Sequence, residues 1–405
     1  MVATDSAPVE DYRFDRHELA GALADLGVLV PIAVALIVVN GLSATAVLLP
    51  AGLLYVAAGR IYRLPVPVQP LKAFGAIAIA RGIGPDGIAA GALLMGVIFL
   101  VLGSTGLIDL AARAVPKPLI RGVQLSVGLL FLQVAWGLVT KPPAAFADVS
   151  RGQAYLVIGA TIVAVLAMLL RRRPVTLVLV GLAAVAMVVG YQGGWQLGPS
   201  PLAVPQLDPD TFVTAFVVLV LPQLPLTFAN SCLATADAAR VYFGDRAAGI
   251  RPGRLATSLG AANLLAGAIS GMPVCHGAGG MTAHYAFGAR TGGAPIALGA
   301  ALVVAAVLFG ADLAGLLAGF PLPVLAGLLA VSGLLHIALL RDLEGVGAWA
   351  LAVGVGVVGF AANLALALVL GLVVWWGAVG LAELRGQRSS ASGPDQPSGS
   401  TMKRP

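Results

Sequence analysis

The chain has 405 residues, of which 59% are hydrophobic and only 10% charged, and its mean hydropathy is +0.95. A soluble domain is about 25% charged, and 24 basic plus 18 acidic side chains cannot cover a soluble chain of this length. The composition excludes a soluble enzyme, a disordered protein and a nucleic-acid binder working in water, and it leaves a polytopic membrane protein. In such a protein the net charge of +6 reads first as loop-charge bias rather than as the mark of an anionic partner. Cys232 and Cys275 lie in apolar stretches and are too few for a disulfide framework.

Residues 1–17 are polar and lack the basic, apolar, small-residue order of a cleavable leader, so they read as a cytoplasmic tail. A spanning helix needs about 20 mostly apolar residues. Fourteen apolar segments follow: 18–39, 42–60, 70–82, 86–104, 118–138, 153–170, 174–191, 211–236, 254–270, 276–289, 293–310, 322–340, 345–360 and 362–384. Segments 70–82 and 276–289 are too short to cross, and each follows a Pro-containing extended stretch. Residues 385–405 are rich in Ser, Gly, Pro and Gln and read as a disordered cytoplasmic tail without an appended domain.

Charge fixes the orientation. With the N-terminus inside, all 24 lysines and arginines fall on inner segments or tails except Arg81, Lys141, Arg151 and Lys72. The run Arg171-Arg172-Arg173 and Arg113 lie on the inner side, and the loop 192–210 has no basic residue. This follows the positive-inside rule and places both termini in the cytoplasm, with a bacterial inner membrane as the expected location.

The halves repeat. Pro116-Lys117-Pro118-Leu119 and Gly122 recur as Pro321-Leu322-Pro323-Val324 and Gly327, and Pro67-Val68-Gln69-Pro70 aligns with Pro273-Val274-Cys275-His276. A seven-span repeat has an odd number of spans, so its second copy is inverted. Inverted repeats with discontinuous helices are built around a midplane substrate site. In that arrangement the N-termini of the two half-helices point at each other and offer free N–H groups and positive dipole ends. They form an anion site, to which Gln69 adds an amide, His276 an N–H and Lys72 a cation. Asp25, deep in the first span, is either the acceptor of a coupling proton or the ion-pair partner of Lys72. His284 and Arg290 read as interface or inner-gate residues, Asp237 and Arg240 as an inner-end pair, and Asp109 and Asp312 as helix-end residues. No P-loop, His-x-x-His pair or paired-carboxylate cluster occurs, so neither ATP-driven transport, a metal nor a cofactor is expected.

The two broken segments carry a specific resemblance. Pro67-Val68-Gln69-Pro70-Leu71-Lys72, and Pro273 through Gly280 continuing to Tyr285-Ala286-Phe287-Gly288-Ala289-Arg290-Thr291-Gly292, are similar to the two signature motifs of the molybdate transporter family. That family is a branch of the sulfate permease superfamily lacking its cytoplasmic STAS domain, and the similarity extends over residues 18–384. The resemblance implies an all-α fold of fourteen segments in a seven-plus-seven inverted repeat. It implies a core domain (18–104 and 211–310), a gate domain (105–192 and 311–384) and elevator-like motion between them. It also implies a substrate motif of Gln69, Lys72, Cys275, His276, Gly277, Ala278 and Gly279. Related symporters place a carboxylate in the middle of span 8. Here that region offers the neutral Asn230, which would bond the oxyanion or hold the half-helices together.

The expected function is secondary active transport of molybdate, with tungstate or sulfate as competitors, a proton as candidate coupling ion, and a homodimer as candidate assembly. The alternatives are a general oxyanion or sulfate carrier, a nucleobase permease, and a non-transporting membrane scaffold or enzyme. Substituting Gln69 or His276 by Ala is expected to weaken binding without unfolding the chain.

Overall fold

The computed structural model describes residues 11–108, 115–141, 188, 191, 193–194, 196–318 and 322–391. The expected spans 153–170 and 174–191 (apart from Val188 and Tyr191), with Asp109, Arg113, Arg151 and Arg171-Arg172-Arg173, lie outside these residues, as do most of both tails. The described chain is almost entirely helical, as membrane burial demands, because helices satisfy every backbone polar group internally.

Helix α1 (Arg16–Ala22) is capped by the Asp15 side chain, and a short 3₁₀ turn, Leu23–Asp25, leads into α2 (Leu26–Val38). Hydrogen bonds from the Glu18 and His17 N–H groups hold the Asp15 carboxyl below the usual range. Helix α3 (Ala44–Tyr62) starts on the Ser43 side chain. Then come strand β1 (Gln69–Pro70), α4 (Lys72–Arg81), α5 (Pro85–Thr105) and α6 (Lys117–Thr140).

After the long connection, α7 (Pro209–Ala215), α8 (Leu221–Leu226) and α9 (Thr235–Phe243) form one continuous rod. Two π-helical stretches, Phe216–Val220 and Thr227–Ala234, interrupt it. Next are α10 (Pro252–Ala268), β2 (Val274–Cys275), α11 (Ala278–Phe287) and α12 (Gly293–Leu308). The described chain closes with α13 (Gly310–Ala318), α14 (Leu322–Ala338), α15 (Val346–Val358) and α16 (Leu364–Ala391).

Among the described residues six helices are long and apolar enough to cross a membrane. The number is seven if α12 and α13, which bend by 96° at their junction, count as one. The two segments read as too short to cross are α4 and α11, each 10 residues long. Both stop at a glycine in the left-handed conformation, Gly82 (φ 61°) and Gly288 (φ 113°), where a side chain would be strained. Long helices cross in pairs at bare backbone. A Cβ on Gly128 of α6 would stand 2.7 Å from the Gly333 carbonyl oxygen of α14, and one on Gly333 would stand 2.6 Å from that of Gly128.

Candidate functional site

Prolines at 65, 67 and 70 keep the chain ahead of α4 extended. The stretch ahead of α11 is extended as well, and the two pair antiparallel, with Gln69 opposite Cys275 and Pro70 opposite Val274. Leu71 N donates to the Pro273 carbonyl at 3.1 Å. Asn263, in the middle of α10, clamps the second strand: its Oδ1 accepts from Val274 N at 2.8 Å and its Nδ2 donates to the Val274 carbonyl at 3.0 Å. Gln223 braces the other helix, accepting from Phe74 N at 3.0 Å and donating to Thr227 Oγ1 at 3.0 Å. Each brace satisfies backbone groups that would otherwise be orphaned at depth. Asn263 escaped the sequence reading, although a lone amide in an apolar run signals that it has a partner.

Opposed strand residues share a face, and successive residues alternate faces. Gln69 and Cys275 therefore both line the large cavity beside the strands, of about 830 Å³. His276, next in line, turns the other way. Its Nδ1 donates to the Pro67 carbonyl at 2.8 Å, its Nε2 lies 2.9 Å from Ser258 Oγ, and the Tyr62 ring meets it edge-on. His276 is fully buried and does not line the cavity. Gly277 does not line it either; a Cβ there would stand 2.5 Å from Gln69 Oε1. Lys72, Asn230, Ala278, Gly279 and Asp25 do line it. Asn230 sits in the π-helical stretch Thr227–Ala234, and its carbonyl accepts from Thr235 Oγ1 at 2.9 Å.

The Asp25 carboxylate is fully buried, and each of its oxygens accepts a hydrogen bond. Tyr55 donates to Oδ2 at 2.5 Å and Gln69 Nε2 donates to Oδ1 at 2.6 Å. His284 Nε2 lies 3.0 Å from Oδ2, an ion-pair approach whose direction falls short of a well-aligned hydrogen bond. The other His284 nitrogen, Nδ1, faces the Pro65 carbonyl at 3.0 Å, which can only accept. A proton is therefore needed between Nε2 and the carboxylate.

These contacts correct one expectation and add to another. Lys72 does not pair with Asp25: its Nζ donates to Gln69 Oε1 at 2.9 Å, and the Gln69 amide stands between the two charges. His284, read as an interface or inner-gate residue, stands against Asp25, a partner the sequence did not suggest. The sequence shows both groups but not that they meet, because they lie on elements far apart in the chain.

Other charged residues stand as follows. Arg290 donates to the Tyr285 and Ala289 carbonyls at 2.6 and 2.8 Å and stacks over the Tyr285 ring at 3.8 Å. Asp312 lies in the first turn of α13 and accepts from Gln196 N in the connection before α7. Among the described residues no ion pair within 4 Å joins Asp237 to Arg240, so the expected inner-end pair is absent.

The wall thus presents the Lys72 ammonium, the Gln69 amide and the leading backbone of α11, while the one carboxylate is covered by donors. Ala278, Gly279 and Gly280 have no preceding helical turn to bond, and a Cβ on Gly279 would meet nothing within 4 Å. This surface suits an anion. Among the described residues no group of three or more His, Cys, Asp or Glu could hold a metal ion.

The chain is similar to known proteins both in sequence and in fold. The profile of the family described as "Molybdate transporter of MFS superfamily" matches residues 17–131 and 215–335. Molybdate transporter 2 of Arabidopsis thaliana is 28% identical over 78% of this chain and 77% of its own. Molybdate transporter 1 of Chlamydomonas reinhardtii is 31% identical over 78% of this chain and 82% of its own. In fold the chain is similar to two solved structures. One is the transmembrane domain of the cyanobacterium bicarbonate transporter BicA (TM-score 0.62, 16% identity, 89% of this chain and 98% of that one). The other is murine solute carrier 26 family member A9, an anion transporter in the inward-facing state (TM-score 0.67, 15% identity, 92% of this chain and 70% of that one). The profile covers both signature motifs and more than half of the chain, so this protein belongs to the molybdate transporter family and is a membrane transporter rather than an enzyme.

Proposed function

We propose that this chain is a secondary active transporter of molybdate, carried in a cradle between the N-termini of α4 and α11. The observation behind this reading is the convergence of Gln69, Lys72 and the bare backbone at Gly279 on one cavity wall whose carboxylate already accepts from Tyr55 and Gln69. In this reading α4 and α11 are half-spans of a fourteen-segment, seven-plus-seven inverted repeat. The cavity is lined by α4, α8, the π-helical stretch Thr227–Ala234 and α11 from the expected core and by α6 and α14 from the expected gate. That division supports a core (18–104 and 211–310) riding as an elevator on a gate (105–192 and 311–384). Lys117 and Arg121 at the cavity's exposed margin are inner-surface residues by charge bias, so the state is inward-open with both termini cytoplasmic, in a bacterial inner membrane.

Cys275, Ala278 and Asn230 complete the lining near the anion, and Gly277 shapes it by leaving room for Gln69. His276 holds the strand from behind. The proton between Asp25 and His284 is the candidate for coupling, because Gln69 bridges that pair to Lys72.

Tungstate and sulfate share the tetrahedral dianionic shape and compete. The neutral Asn230, where nucleobase carriers have a carboxylate, argues against a nucleobase substrate. The test is uptake by purified protein in liposomes, with and without an inward acid gradient, together with competition by tungstate, sulfate, phosphate and uracil. Molybdate and tungstate are expected to compete best, and uracil not at all. Molybdate binding no tighter than sulfate would leave a general oxyanion carrier, and displacement by uracil would overturn the cradle.

A further inference from the structure

The cavity has a second cationic locus that the cradle does not use. Lys117 and Arg121 lie on the first turns of α6 and line the cavity together with Gln124. They sit at its exposed margin: the side chains of Lys117 and Arg121 are 54% and 17% exposed, whereas that of Asp25 is 0% exposed. Among the described residues no hydrogen bond or ion pair connects them to Gln69 or Lys72.

What they hold is the chain's own anion. Arg121 Nε donates to Asp342 Oδ1 at 2.7 Å and its Nη2 meets Oδ2, a two-pronged grip. Lys117 Nζ stands 3.2 Å from Oδ2 and donates to the Asp342 carbonyl at 2.8 Å. Arg121 Nη1 donates to Gln124 Oε1 at 2.8 Å, which fixes the plane of the guanidinium. Two cations on one carboxylate leave an unbalanced positive charge facing the cavity. A guanidinium fork that fits a carboxylate also fits two oxygens of a tetrahedral oxyanion. Asp342 ends a short 3₁₀ turn, Leu339–Asp342, and its side chain is 45% exposed, so it can rotate away without leaving a buried charge bare.

We propose that Lys117 and Arg121 form a second, weaker site for a tetrahedral oxyanion at the cavity mouth, where the ion and the Asp342 carboxylate compete for the same donors. The proposal rests on the reading of the chain as an oxyanion carrier. An arriving dianion displaces Asp342, and a departing one is replaced by it. The two cations are therefore never left without a partner, and the mouth concentrates dianions beside the cradle.

The experiment is equilibrium dialysis of the purified full-length chain against radioactive molybdate, read as number and affinity of sites. Wild type is expected to bind two ions. The double variant K117Q/R121Q should lose the weaker site and keep the tighter within about twofold, whereas Lys72→Gln should weaken only the tighter. Asp342→Asn removes the competitor and should tighten the weaker site on the order of tenfold, the size of one charge-assisted contact. A misfolded protein or a purely structural latch would not produce that gain. One site in wild type, or a weaker site unchanged in K117Q/R121Q and in Asp342→Asn, overturns the waystation and leaves the cradle standing. Binding of no molybdate at all removes the transporter reading and the waystation with it.

Discussion

Helix α4 joins the cavity wall behind Pro67, Gln69 and Pro70, and α11 joins it behind Cys275, His276 and Gly277, from the two strands of one small sheet. The two strand-to-helix junctions contribute different chemistry. The first supplies side chains: the Gln69 amide and the Lys72 ammonium, with the Phe74 N–H occupied by Gln223. The second supplies backbone, and Gly277 and Gly280 are needed there because the Gln69 side chain lies against them. A Cβ on Gly280 would stand 2.7 Å from both Gln69 Nε2 and Asp25 Oδ1. In the proposed cradle, the contrast teaches, one side carries the long polar groups and the other is thin enough to let them pass. Asp25 joins the two, gripping Gln69 from the first junction and His284 from the helix behind the second.

The largest effect expected from breaking this arrangement is at the joint. Asp25→Asn leaves His284 without its counter-charge, and removal of one member of a buried pair costs about 3–5 kcal/mol. Thermal unfolding in detergent should show a large drop, partly restored in Asp25→Asn/His284→Gln. A full drop in the double variant would mean that the pair is not the joint.

Next comes the thin side. Gly280→Ala should cost about 1–3 kcal/mol through overpacking and abolish molybdate uptake by displacing Gln69. Gly279→Ala, with open space before it, should fold normally and only raise KM. Equal loss in both would erase the distinction between the packing glycine and the cavity glycine.

On the side with long polar groups, Lys72→Gln removes one charged contact. It should weaken molybdate binding about 10- to 100-fold, the equivalent of about 1.5–3 kcal/mol, with little change in unfolding temperature. The smallest functional effect is expected at His276. Because it bonds Pro67 and Ser258 and faces away from the cavity, His276→Gln should leave binding within about twofold while lowering stability by about 1 kcal/mol. This reverses the expectation read from the sequence. A tenfold loss of affinity at unchanged stability would put His276 back among the ligands.

Much of the fold is legible in the residues. Apolar run length and proline placement depend on local composition, so α3, α4, α5, α6, α10, α11, α12 and α14 fall within a few residues of the segments those signals mark, whereas 345–360 and 362–384 run together as one helix and 211–236 extends to Phe243. Gln69, Lys72 and Asn230 stand out as polar groups in apolar runs, and all three line the cavity. The two signature motifs are also readable, because strings of Pro and Gly specify an extended chain and a bare helix start by themselves.

Partnership is not legible. That Asp25, Gln69 and His284 each need a partner at depth follows from the cost of burying an unsatisfied polar group. Which partner each takes depends on where separate helices cross. Lys72 is within reach of Asp25 in principle, yet the Gln69 amide comes between them. Strand alternation turns Cys275 toward the cavity and His276 away, and that sense is set only when β1 and β2 pair. Lys117, Arg121 and Asp342 read singly as charges near helix ends and become a cluster only when the start of α6 meets the turn after α14. Composition and spacing thus settle which groups must be satisfied inside an apolar medium. Packing chooses what satisfies them, because hydrogen bonds act over a few ångströms and distant segments of the chain come that close only once it has folded.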